Sequence, residues 1–159
     1  MTIPFKQYLL DTFEFNDRAN RKQLAKIAEL REPDEAIGIF SHLANSQKKW
    51  LARITQVPGA SEMDWWKPAY ALDRLAVEWE RSLTPWLEYV AARDDDKLER
   101  EVTFVGFDGT RFAATPKDIA LQLNYHSIHH RAQIQTILRA QGVEPDFVDY
   151  IGTKYRRLG

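Results

Sequence analysis

The stretch Thr115-Pro116-Lys117-Asp118-Ile119-Ala120-Leu121-Gln122-Leu123-Asn124-Tyr125-His126-Ser127-Ile128-His129-His130-Arg131-Ala132-Gln133-Ile134 decides how this chain folds. Its first four residues form a helix start. Thr115 offers a side-chain oxygen as N-cap, Pro116 fits the first helical position, and Asp118 favours the positive end of the helix dipole. The helix is predicted to end near Gln141, where Gly142 supplies a left-handed residue and Pro145 follows. Residues in a helix advance by about 100° each. Measured from Ile119, Leu123 falls about 40° to one side and Gln133 about 40° to the other, with Ile137 directly in line. These residues form a stripe that should face a core. On the same wheel His126 and His130 fall about 20° to either side of Ile119, at the centre of the stripe. His129 falls about 80° away, at its edge.

Upstream of this helix, Val102, Thr103, Phe104, Val105, Phe107 and Phe112 surround Asp108-Gly109. This reads as a short β-hairpin, with Gly106 leaving the register open. Arg93 to Glu101 is charged, mainly acidic, and is expected to be a solvated connection. A helix is predicted over about residues 71–92, with Leu72, Leu75, Trp79, Leu83, Trp86 and Val90 at bundle spacing. Pro85 lies inside it and should kink or break it. Residues 58–69 read as a loop containing Trp65 and Trp66. Before that loop, Ala36, Phe40, Leu43, Gln47, Trp50 and Ile54 mark a helix capped by Asp34 and ended by Pro58-Gly59. The first helix runs from about Phe5 to Leu30, with Phe5, Leu9, Phe13, Asn16, Asn20, Leu24 and Ile27 on one face, and Pro33 breaks it. Phe147, Val148, Tyr150 and Ile151 in the tail should dock on the helices. The expected fold is therefore all-α: a four-helix bundle, one domain over residues 1–159, with a short β-hairpin before the last long helix.

Composition narrows the function classes. The chain has 159 residues, 44% of them hydrophobic, which excludes general disorder. Its 22 basic and 23 acidic residues give a net charge of −1, without the basic excess that nucleic-acid binding requires. There are no cysteines, so disulfides, cysteine zinc sites, iron–sulfur clusters and a cysteine nucleophile are all excluded. No segment approaches the ~18 apolar residues of a membrane helix. The N-terminus has neither a basic region nor a continuous apolar run, so a cytoplasmic protein without membrane contact is expected.

Four histidines remain as soft metal ligands: His42, His126, His129 and His130. Two imidazoles buried one turn apart need partners, because unpaired buried polar groups are costly. That spacing also lets two ring nitrogens meet at a common metal. His42 is the one distant candidate for a third ligand. It lies about 100–120° from the centre of its own helix's stripe, so periodicity places it exposed or half-buried. A carboxylate-bridged di-iron site would need Glu-x-x-His pairs, and a zinc protease His-Glu-x-x-His; neither is present.

The stretch from His126 to Ile134 resembles the His-x-x-x-His-Arg-Gly/Ala-Gln-Ile/Leu motif of the DinB/YfiT-like superfamily. Phe40-Ser41-His42-Leu43 with Trp50-Leu51-Ala52-Arg53-Ile54 looks like that family's second-helix motif. The helix order, the acidic connection, the hairpin and the tail fit as well, so the resemblance covers nearly the whole chain. It implies a bundle of unusual connectivity and a divalent metal ion, nickel or zinc, held by His42, His126 and His130. A three-histidine site keeps an open position, as catalytic sites do. The resemblance further implies a metal-dependent transferase or hydrolase acting with a low-molecular-weight thiol on a small-molecule substrate. The alternative is a non-catalytic helical bundle, a stress or interaction protein whose histidines are structural. Around the motif, Arg131 reads as a surface salt-bridge residue and His129 as a bystander. Gln133 is either a partner orienting a ligand imidazole or a structural hydrogen bond. Trp65 and Trp66 read as loop packing rather than pocket lining. Leu121, Tyr125 and Ile128 form an apolar back face, to be covered by the hairpin and tail or by a second subunit; a homodimer is favoured.

Overall fold

The computed structural model describes residues 3–159. Helix α1 spans Phe5–Ile27, α2 Asp34–Ile54 and α3 Leu75–Ala91. A short α4 (Asp95–Glu99) precedes strands β1 (Val102–Val105) and β2 (Arg111–Ala114), and α5 (Pro116–Ala140) completes the bundle. The helix start read from the sequence is formed as expected. The Thr115 side chain accepts from the Asp118 N–H at 3.0 Å, and Gly142 takes a φ of 78° after the helix. The hairpin is antiparallel, pairing Val102 with Ala114 and Phe104 with Phe112. Gly109 turns it with a φ of 83°, and Phe104 packs edge-on against Trp50 of α2.

The order of helices around the bundle was not legible from periodicity. Both α1 and α2 pack on α3 and on α5, so α1 and α2 face each other across the diagonal. Side-chain pairs give the directions. Asn16 to Asn124, Asn20 to Ser127 and Gln23 to the Arg131 carbonyl advance together, so α1 and α5 are parallel. Phe40 on Trp79 and the Gln47 carbonyl on the Trp86 indole also advance together, so α2 and α3 are parallel. Asp95, just beyond α3, binds the start of α1, so those two are antiparallel. The result is an up-down-down-up bundle, the unusual connectivity that the resemblance implied. Parallel neighbours cannot be joined by a tight turn. The chain must return along the bundle, about 25 Å for the 17 residues of α3. Residues 55–74 make that return, running back along α2.

Four local expectations are corrected. Asp34 is the first residue of α2 rather than its cap, and its side chain makes no capping bond, because Pro33 already holds a helical φ of −85°. The third helix starts at Leu75, after a 3-10 turn at Leu72–Arg74 that ends the return segment. Pro85 does not break α3. The carbonyl it leaves unbonded is that of Arg81, on the exposed side, where water can take the lost bond. The acidic stretch 93–101 is more than a solvated connection: it contains α4, whose Leu98 is fully buried.

That stretch also caps α1. The N-cap of α1 is Pro4, which has no side-chain oxygen to offer. Instead the Asp95 carboxylate accepts from the N–H groups of Phe5 and Lys6 at 3.1 and 2.9 Å. This places a negative charge on the positive end of the helix and satisfies two free donors. Asp95→Ala is expected to lower stability by about 1–2 kcal/mol, the upper range for a lost cap. A urea-midpoint shift at unchanged m would register it; an unshifted midpoint would mean that water serves those donors equally well.

The tail meets α1 and α5, with Tyr150 edge-on to Phe15 at 5.2 Å. Ile128 lines the groove between tail and α5, but Tyr125 stays 59% exposed. The tail therefore covers only part of the back face. Among the described residues no helix is long and apolar enough to cross a membrane.

Candidate metal centre

His126 and His130 project from one face of α5, one turn apart, but the buried face is turned from the expected stripe toward Ser127 and Ile134, so His130 is buried and His126 half-buried at its edge rather than at its centre. His42 projects toward them from α2. It is buried at 7% exposure, not exposed or half-buried as its periodicity suggested. The cause is the crossover, which lies along the flank of α2 that the stripe leaves uncovered. Asn45 donates to the Pro68 carbonyl, the Tyr70 N–H to Ser41 Oγ, and Lys49 to the carbonyls of Ser61 and Met63. A helix gripped on that side as well buries residues that lie off its core stripe.

The three imidazoles converge on their Nε2 atoms. His126 Nε2 lies 3.0 Å from His42 Nε2 and 2.9 Å from His130 Nε2. The outer nitrogens set the tautomers. His42 Nδ1–H donates to the Trp65 carbonyl at 2.8 Å, and His130 Nδ1–H donates to Gln133 Oε1 at 2.6 Å. In the neutral rings, both Nε2 atoms therefore carry lone pairs aimed at the same point. His126 has one Nε2–H at most and cannot satisfy both. A cation at the centre would accept all three lone pairs. For comparison, nitrogens at 2.0–2.1 Å from a tetrahedral zinc lie about 3.3 Å apart.

Electrostatics favours the ligating form. Burial holds the His126 imidazole down to about 4, with the neighbouring His130, His42 and His129 adding to the effect. Burial also lowers His42 and His130, partly opposed by their bonds to Trp65 and Gln133. All three are neutral at pH 7, the state in which an imidazole binds a metal. The donor set fits a divalent ion of borderline softness.

The surrounding residues divide as follows. Gln133 is exposed, at the edge rather than in the stripe, yet it orients His130, the partner role the sequence allowed. His129 is exposed and stays outside the cluster, as expected of a bystander. The tryptophans correct the expectation of mere loop packing. Trp65 fixes His42 through its carbonyl, and the Trp66 indole stacks on the His42 ring at 3.9 Å and 8°. Arg131 is no surface residue. It is 3% exposed, and its guanidinium donates to Asn16 Oδ1 and Asn20 Oδ1 at 3.0 and 2.9 Å.

Beside the histidines is a cavity lined by His42, Ser46, Trp50, Trp65, Gln122 and His126, among others. Ser46 Oγ is buried and has no hydrogen-bond partner. The sequence reading missed Ser46. Its one available signal was position, four residues after His42 and hence on the same helix face.

These features define a class: an all-α bundle whose interior gathers three neutral histidines beside a cavity. A family model, that of the DinB family, matches residues 10–157, nearly the whole chain. The chain belongs to the DinB family. Comparison with curated proteins and with solved structures finds no match.

Proposed function

We propose that this protein is a divalent-metal-dependent enzyme in which His42, His126 and His130 hold nickel or zinc. The observation that carries the reading is the convergence of three Nε2 atoms, two of them bare, within bonding reach of one centre. When bound, such an ion would lower the pKa of a coordinated thiol or water and so supply a nucleophile at neutral pH. The chain's own residues do the rest. Trp65 and Gln133 hold two of the imidazoles in register from behind. Trp50 and Trp65 provide flat apolar walls for a small-molecule substrate, and Ser46 Oγ is free to bind its polar group. The chain has no cysteine, so the sulfur of a transferase reaction would come from a low-molecular-weight thiol. The proposal includes a cytoplasmic homodimer that buries the exposed Tyr125 and Ile128 on the back of α5.

The test uses tag-free protein loaded with zinc or nickel, and again after chelation. Cysteine, glutathione and dithiothreitol are added, and thermal unfolding is followed. A thiol at 100 times its Kd stabilises by about 2.7 kcal/mol. In a chain of this size that raises Tm by roughly 5–10 °C, in the loaded protein only. Metal uptake without any thiol effect removes the thiol from the proposal. No metal uptake leaves the histidines structural.

A further inference from the structure

The buried face of α2 continues beyond the histidine cluster. Measured from His42 around the helix, Ser46 falls about 40° to one side, Arg53 about 20° to that same side and Lys49 about 20° to the other. One stripe therefore carries all four. The crossover covers this stripe from Ala60 to Tyr70. At its far end are two cations one turn apart. The Lys49 ammonium is satisfied by the carbonyls of Ser61 and Met63 and lies over the Trp65 ring. Arg53 is different. It is 8% exposed, yet its Nε has no hydrogen-bond partner, and it takes part in no ion pair among the described residues. Its guanidinium is held by rings instead: Trp65 at 5.0 Å, Trp50 at 5.2 Å and Phe104 at 5.6 Å. A cavity opens against it, walled by Val57, Ala60 and Phe104, with Ser61 and Gln56 at its side.

A buried guanidinium Nε–H without an acceptor is unfavourable unless something brings one. The nearby acidic group, Asp64, accepts from the N–H groups of Trp66 and Lys67 and faces Lys49 electrostatically, not Arg53. Among the described residues Arg53 is the one charged side chain lining the cavity, and without a carboxylate partner it leaves a net positive charge there. A planar donor fork between aromatic faces suits a planar, singly charged acceptor with an apolar body.

We infer that the pocket at Arg53 binds the carboxylate of a small monocarboxylic acid whose apolar part rests between Val57, Ala60 and Phe104. The site lies on the other side of Trp50 and Trp65 from the histidines and does not rest on the metal reading. Arg53 donates to the carboxylate oxygens through its fork, and the aromatic rings exclude water from the ion pair.

The experiment is a titration of 15N-labelled, chelator-treated protein with sodium benzoate, following the arginine Nε–H and tryptophan indole N–H resonances. Arg53→Lys, which deletes one Nε–H signal, assigns it. The expected result is a saturable shift of that signal, with half-saturation at or below about 10 mM. The Trp50 and Trp65 indole signals should shift at the same midpoint. In Arg53→Lys the benzoate-dependent indole shifts should weaken roughly 10-fold, since an ammonium lacks the fork. Absence of a saturable shift in any arginine Nε–H signal of the wild type overturns the site, whether or not the variant folds. An equal shift with inorganic phosphate at matched ionic strength overturns the carboxylate assignment. Loss of metal binding elsewhere in the protein would leave both results standing.

Discussion

Replacing His126 with alanine is expected to abolish metal uptake while leaving the bundle folded. His126 Nε2 is the atom common to both short contacts, 3.0 Å to His42 and 2.9 Å to His130. Without it two donors remain, one on each of two helices, and neither helix alone offers a pair. Loss of an outer partner such as Gln133 typically costs 10–100-fold in metal affinity. Loss of a ligand should exceed that, so His126→Ala is expected to weaken binding by more than about 100-fold. Metal analysis after dialysis against buffer should fall from near one ion per chain to background. The scaffold should tolerate the change. His126 is half-buried and beside a cavity, so alanine at this position leaves no sealed void. Chelated wild type and variant should therefore unfold at similar temperatures, and only the wild type should gain on adding zinc or nickel. If His126→Ala keeps full metal content, the ion lies elsewhere and the three-histidine centre is wrong. Parallel loss in His129→Ala would instead return that exposed residue to the ligand set.

Local chemistry made much of this molecule readable in advance. The cap at Thr115, the proline after it and the glycine at 142 each act within a few residues, so the limits of α5 could be read directly. The same holds for the placement of His126 and His130, because helix periodicity alone decides which face they share. His42 shows where this stops. Its burial depends on a segment some twenty residues later that returns along α2, and that path exists because α2 and α3 run parallel. No periodicity within α2 encodes the direction of α3. Asp95 is similar: its role is set by the distant start of α1, so its own stretch looked like an ordinary charged connection. Only the family resemblance anticipated His42, because a motif carries the outcome of tertiary packing that one helix wheel lacks.

Arg131→Ala is expected to produce one of the largest stability losses in the chain, although the residue reads in sequence as an exposed salt-bridge partner. In the structure it is the hub of a polar layer between the parallel helices α1 and α5. Its guanidinium serves Asn16 Oδ1 and Asn20 Oδ1, approaches Ser127 Oγ at 3.5 Å, and lies 5.4 Å from the Phe15 ring. Among the described residues no carboxylate compensates it, and burial lowers its pKa to about 10 while leaving it charged at neutral pH. Truncation to alanine orphans two buried amide oxygens, each worth about 1–3 kcal/mol, and leaves a void where the guanidinium lay. A total of about 3 kcal/mol is expected, or roughly 6–12 °C in Tm for a chain of this length. A surface salt bridge would instead cost at most about 1 kcal/mol. Asn20→Ala tests the mechanism. If Arg131 acts through this layer, the two losses should fall short of additivity by more than about 1 kcal/mol. Additive losses would mean that Arg131 stabilises the bundle by filling space. A melting point within a degree of wild type would mean that its burial contributes no net stability. The layer also fixes the register of α1 against α5, and hence the seat of the helix that carries His126 and His130. Weaker metal affinity in Arg131→Ala, with the three histidines intact, is the expected functional trace of that register.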